Sequence, residues 1–193
     1  MLIESEGIGD GTWYQGFQIG HSIGLPLHSL RWPDATELGP IRVARPGQRI
    51  KDCGPVTLAV AARWKDLDLA VVTVGEGPRT YEPGRRHNPL ANDWVRVTWV
   101  WPDLRGLVQP GSQVCRVMST ETLQSYTYRV GWQSVVNKQL RVCVLDFVPW
   151  PGLSGSMVRF PGDGSIVGFV HGRAGSFGQN ALILVGAAVQ IEE

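Results

Sequence analysis

The stretch Pro149-Trp150-Pro151-Gly152-Leu153-Ser154-Gly155-Ser156 decides how the rest of this chain is read. Glycines on both sides of Leu153-Ser154, after a proline-rich bend, let the backbone curl so that neighbouring N–H groups aim at one spot. A serine held in that curl stands beside a ready-made hole for an oxyanion. Ser154 is therefore the candidate nucleophile, and the N–H groups of Gly152 and Ser154 are the candidate oxyanion donors. Gly-x-Ser-Gly is common in ordinary turns, so it acquires meaning only with a histidine and a carboxylate in a workable order elsewhere.

Both are present. Residues 16–30 read Gly-Phe-Gln-Ile-Gly-His-Ser-Ile-Gly-Leu-Pro-Leu-His-Ser-Leu, the pattern of a hairpin: a strand ending at Ile19, a turn at Gly20-His21 and a second strand running into His28. Taken singly, either histidine reads as an ordinary turn or surface residue. Further on stands Lys65-Asp66-Leu67-Asp68-Leu69-Ala70-Val71-Val72. On an extended strand Asp66 and Asp68 would share a face, so alternation leaves both open as the acid. The order His, Asp, Ser excludes the α/β-hydrolase arrangement, in which the serine comes first.

Together these motifs resemble the chymotrypsin-like serine proteases, and specifically the compact polyprotein-processing proteases of positive-strand RNA viruses such as sobemoviruses, astroviruses and arteriviruses. The resemblance spans about residues 11–178 and rests on three short motifs and one strand. It implies an all-β fold of two small antiparallel β-barrels with the triad in the cleft between them. It also implies that His28, at the far end of the hairpin, is the general base. Asp68 is implied as the acid, because Asp68-Leu69-Ala70-Val71 matches the aspartate ahead of a hydrophobic-Ala-hydrophobic strand. Activity as a serine endopeptidase on a viral polyprotein, its own release included, follows from the same likeness, with no cofactor and no metal.

The strand that completes the resemblance is Asp163-Gly164-Ser165-Ile166-Val167-Gly168-Phe169-Val170-His171-Gly172, similar to the hairpin that walls the specificity pocket. Gly168, Val170 and His171 are the implied substrate-binding residues, with His171 donating to a glutamate or glutamine on the acyl side of the cleaved bond. The family spacing is Gly-x-His; here one more residue intervenes, so the direction of the ring depends on a bulge. Pro149 stands where the family often has threonine or serine. Leu153 replaces the aspartate that trypsins pair with a free N-terminus, so the site is expected to form without that pairing.

The rest of the sequence is consistent with this expectation. A chain of 193 residues, 43% hydrophobic with 24 glycines and 13 prolines, suits one compact, turn-rich domain. The expected division is residues 1–80 for the first barrel, 81–93 for the connection and 94–193 for the second barrel. Strands are expected at 13–19, 22–27, 41–44, 56–61, 69–74, 95–100, 113–118, 123–130, 140–147, 156–160, 166–170 and 181–185. No apolar run approaches membrane-spanning length, and residues 1–6 lack the features of a signal peptide. Cys53, Cys115 and Cys143 form no zinc spacing and no even set of disulfide partners, which fits a reducing host-cell cytoplasm. Trp94, Trp99 and Trp101 interleave with Arg96 and Arg105; with a net charge of +1, packing is the main reading and weak RNA contact the minor one. A cellular trypsin-like protease and an inactive fold that binds RNA or protein are the competing readings of the whole.

Overall fold

Short β-branched runs broken by glycine and proline fold, in the computed structural model of this chain, almost wholly into strands. The structure describes residues 1–5, 13–19, 22–73, 80–84, 88–138, 140–173, 178–185 and 187–191. The predicted turn at Gly20-His21 and residues 85–87 of the expected connection lie outside them. In chain order the first strands are β1 (Leu2–Ser5), β2 (Trp13–Gln15), β3 (Phe17–Ile19), β4 (Ser22–Pro26), β5 (Glu37–Ala44), β6 (Val56–Trp64), β7 (Leu69–Thr73) and β8 (Thr80–Gly84). Then come β9 (Trp94–Pro102), β10 (Val108–Leu123), β11 (Tyr126–Val130), β12 (Gln133–Asn137), β13 (Leu140–Leu145), β14 (Met157–Arg159), β15 (Ile166–Gly172), β16 (Leu182–Val185) and β17 (Ala187–Ile191). Among the described residues no helix is long and apolar enough to cross a membrane.

The second half closes as expected into a six-stranded barrel in the order β10-β13-β16-β15-β14-β9. Its strands alternate: on β9, Val95 and Val97 are buried while Trp94 and Arg96 face outward. Inside lie Val95, Val117, Cys143, Leu145, Val158 and Ile183, together with Leu153 from the loop that carries Ser154. The first half supplies the other barrel of the expected fold in an incompletely closed form. It is an antiparallel seven-stranded sheet in the order β2-β1-β5-β6-β7-β4-β3, curled but not closed by hydrogen bonds. The expected strand over 13–19 breaks at Gly16 into β2 and β3, which become the two edges, so the sheet bends round until its edges meet at one residue. A Cβ at Gly16 would sit 2.6 Å from Ile3 Cδ1, so a larger residue there must displace the end of that side chain.

β7 explains why Leu69-Ala70-Val71-Val72 is apolar on both faces. Ala70 and Val72 enter the core of the first sheet with Leu25, Leu27, Ile41 and Leu58. Leu69 and Val71 face the other way, into a seam with Phe17, Leu67 and Phe169 of β15. Phe17 and Phe169 stack at 4.2 Å between ring centres, joining the two halves across this seam. Asp68 sits at the head of β7, and so at the junction of sheet and barrel.

β11 falls within the strand expected over 123–130, whereas β1, β8, β12 and β17 were not anticipated. β11 and β12 form a hairpin, outside both main sheets, whose Tyr128, Val130 and Val135 complete the core of the first half. β8, at the start of the expected connection, pairs with β17, from the end of the expected second barrel, as a separate ribbon. The tryptophans of β9 are mainly packing residues: Trp99 meets Phe147 and Trp150, Trp101 meets Trp13 and Trp150, and Trp94 carries the Arg116 guanidinium 4.5 Å from its ring centre.

Candidate active site

The base is delivered by the end of β4. That strand stops at Pro26, and Leu27–Ser29 makes a short 3-10 turn in which Leu27 is buried and His28 faces the cleft. A second 3-10 turn, Lys65–Leu67, precedes β7 and ends on Asp68 in the left-handed region, φ 50° and ψ 44°. The premise that Asp66 and Asp68 share one face of an extended strand therefore does not hold. The turn separates them, leaving Asp66 exposed and Asp68 4% exposed. The left-handed conformation is one that aspartate tolerates better than most residues. The two turns are tied directly, since Leu27 N donates to Asp68 O at 2.8 Å. The β11–β12 hairpin braces them from outside: Tyr128 OH and Asn137 Nδ2 both donate to Lys65 O, at 2.8 and 2.6 Å.

His28, Asp68 and Ser154 then fall into one line. His28 Nδ1 is 2.5 Å from Asp68 Oδ2, and its backbone N–H donates to Asp68 Oδ1 at 2.9 Å. Ser154 Oγ lies 2.9 Å from His28 Nε2 and 2.8 Å from the His171 carbonyl, so its proton has two acceptors within reach. With the Nδ1–H on Asp68, Nε2 presents its lone pair to the serine, the tautomer that can accept the hydroxyl proton.

Asp68 takes a third donor. His171 Nδ1 lies 2.6 Å from the same Oδ2, with the rings of Tyr126 and Tyr128 edge-on against it at 5.5 and 5.2 Å. Burial alone would raise the Asp68 pKa, but the charge of His28 and hydrogen bonds from both histidines hold it below the usual carboxylate range. Burial likewise opposes the charging of His28, and the Asp68 charge and hydrogen bond overcome it, holding the imidazole above 6.5. The three ligand-type atoms of His28, Asp68 and His171 lie within 4.8 Å of one another, and the hydrogen bonds account for that closeness without a metal.

His171 reaches this position through the bulge on which its direction was expected to depend. On β15, Val170 pairs with Ile183 and Gly172 with Leu182, so His171 is the extra residue, swung into the cleft. It lines a cavity of about 340 Å³ beside Ser154, as does Val170. Its Nδ1, however, is committed to Asp68 rather than to the cavity. Gly168 does not line that cavity; it is buried in the barrel ladder opposite Val158 and Val185.

The loop of Ser154 is built for its task. Gly152 and Gly155 have φ of 101° and 93°, which favour glycine. Leu153 is fully buried and pins the loop to the barrel. Among the described residues neither the Gly152 nor the Ser154 N–H is used in a turn or loop backbone hydrogen bond, whereas Leu153 N between them donates to Trp150 O.

Sequence reasoning missed Gln15. Its side chain, 3% exposed, donates from Nε2 to Val100 O and Gly152 O and accepts from Val100 N, while its backbone N donates to Ser154 O at 2.8 Å. A lone glutamine in a strand gives no signal of this role. Gln15→Leu removes the partner of two buried backbone groups of Val100, each worth about 1–3 kcal/mol, and of the part-buried Gly152 carbonyl in the loop that holds the nucleophile. It is expected to lower stability by at least about 2 kcal/mol in urea unfolding, with activity falling alongside; an unchanged midpoint would contradict this reading.

No protein-family model matches this sequence, and no curated protein matches it. Solved structures do. The fold is similar to that of the Rv3671c protease of M. tuberculosis in its inactive form, at 16% identity and TM-score 0.60 over 95% of this chain and 81% of that one. It is similar to the MamO protease domain from Magnetospirillum magneticum, at 15% identity and TM-score 0.55 over 95% and 89% of the two chains. Tobacco etch virus protease with bound product matches at 13% identity and TM-score 0.52 over 95% and 71%. The chain has the chymotrypsin-like two-barrel fold, its first barrel being the curled open sheet.

Proposed function

We propose that this protein is a serine endopeptidase, and the observation that carries the proposal is the unbroken line Asp68–His28–Ser154 at hydrogen-bond distances. Ser154 Oγ attacks a peptide carbonyl as His28 Nε2 takes its proton; the C–N bond then breaks, with that proton passing to the departing amine. Water, deprotonated by the same imidazole, releases the acyl group and restores Ser154. Asp68 keeps the imidazole in the working tautomer and stabilises its cation. The Gly152 and Ser154 N–H groups receive the oxyanion, a single such donor being worth about 3–4 kcal/mol.

The finer reading is a viral polyprotein-processing enzyme that cleaves after glutamate or glutamine in a reducing host-cell cytoplasm. The motif resemblance supports the viral substrate, and the free thiols of Cys53, Cys115 and Cys143 suit that compartment. The fold likeness to tobacco etch virus protease agrees with it.

Hydrolysis of a peptide library across pH tests the proposal. His28 must be neutral to act as base, and Asp68 raises its pKa. The acid limb of kcat/KM is therefore expected to have its midpoint above pH 6.5, with activity lost as pH falls through it. A folded protein that cleaves nothing, or a limb below 6.5, would overturn it.

A further inference from the structure

The cavity beside Ser154 carries a charge that no sequence motif announces. Among the described residues no carboxylate lines it, and the one lining side chain whose positive charge does not depend on pH is Arg173. Arg173 follows directly on β15, and both its Nε, at 3.1 Å, and its Nη2 donate to the Pro149 carbonyl. That double contact ties the end of β15 to the start of the nucleophile loop and fixes the guanidinium across the two walls of the cavity. It uses one edge of the fork and leaves the Nη1 N–H groups for another acceptor. Among the described residues no carboxylate pairs with Arg173.

The other basic groups on the wall are differently engaged. His28 and His171 both direct Nδ1 at Asp68. His171 spends its Nδ1 on Asp68 and does not offer that donor to the cavity. A substrate carboxylate needs donors, and Arg173 holds them. At Gly172, between the two residues, an added Cβ would meet nothing within 4 Å, so the mouth is open.

We infer that Arg173 is the specificity-determining residue of the acyl-side pocket and selects the carboxylate of glutamate over the isosteric amide of glutamine. The inference rests on Ser154 being the nucleophile and on the proposed cleavage after glutamate or glutamine; it adds the residue that recognises that side chain and the choice of acid over amide. A guanidinium fork matches a carboxylate in charge and geometry, whereas the glutamine amide offers a neutral oxygen and two N–H groups that face the cation.

The test uses three peptides identical except for Glu, Gln or Lys on the acyl side, hydrolysed by the wild type, Arg173→Lys and Arg173→Gln, with Ser154→Ala as the blank. The wild type is expected to favour Glu over Gln by about 10- to 100-fold in kcat/KM. Arg173→Gln brings that ratio close to one, and Arg173→Lys, which keeps the charge but loses the fork, stands between. A residue that only braced the Pro149 loop would depress all three peptides alike and leave the ratio at its wild-type value, which overturns the inference. A wild type that cleaves Gln as well as Glu, or prefers Lys, overturns it without need of a variant. If the wild type cleaves none of the peptides, or Ser154→Ala cleaves as well as the wild type, the nucleophile assignment fails and Arg173 falls with it.

Discussion

Replacing Ser154 by alanine is expected to leave a folded protein whose peptide hydrolysis drops by roughly 10⁵- to 10⁶-fold. The fold does not depend on the hydroxyl: its partners are His28 Nε2 and the His171 carbonyl, and neither apolar core includes Ser154. The chemistry depends on it entirely, because no other hydroxyl is within hydrogen-bond distance of the His28 ring among the described residues. Ser156, two residues on, provides the contrast. It is 1% exposed and its Oγ donates to Leu153 O at 2.6 Å, inside the loop. Ser156→Ala should cost about 1 kcal/mol of stability and leave most of the activity. Comparing kcat/KM and thermal unfolding for the two variants separates the roles; near-normal hydrolysis by Ser154→Ala would refute the assignment.

The second large effect is expected at Asp68. Its carboxylate accepts from His28 Nδ1, His28 N and His171 Nδ1, so it needs three lone pairs facing three donors. Asparagine fits the left-handed backbone, but it replaces one oxygen by an NH₂ group that cannot accept. His28 then turns to the tautomer with the proton on Nε2, which cannot take one from Ser154. A loss of about 10⁴-fold in kcat follows, and the acid limb of the pH profile shifts downward because the anion that raised the His28 pKa is gone. Asp66→Asn, in the exposed turn, should stay within a few-fold of the wild type. The reverse pattern would move the acid by two residues.

What was legible in the sequence came from residues whose chemistry is bound to a local backbone shape. Gly152 and Gly155 mark the curl around Ser154 by their positive φ, and the apolar run after Asp68 marks a strand packed on both faces. The place of His28 was implied by the resemblance, and β4 ends two residues before it. What was not legible depends on contacts between distant segments. The first half stays open because β2 and β3 part at Gly16, a single residue that composition cannot distinguish from a turn. The Asp66–Asp68 geometry was misread because a 3-10 turn held by Tyr128 and Asn137 replaces extended chain, and those residues lie far along the sequence. The Gly131-Trp132 turn between alternating segments did carry a hairpin signal that was passed over. His171 was foreseen on the pocket wall, and the extra residue in its strand proved to be the bulge that turns its Nδ1 to Asp68. Gln15 and Arg173 gave no signal, since a glutamine or arginine gains its meaning from the carbonyls it happens to meet.

The proposed chemistry requires Ser154 to be a nucleophile activated by His28. A fluorophosphonate probe, followed by mass spectrometry of the labelled peptide, tests that most directly. A single adduct on Ser154 is expected, formed by the wild type, absent from Ser154→Ala and strongly slowed in His28→Ala. An adduct on another residue, or no adduct on a folded protein, would contradict it.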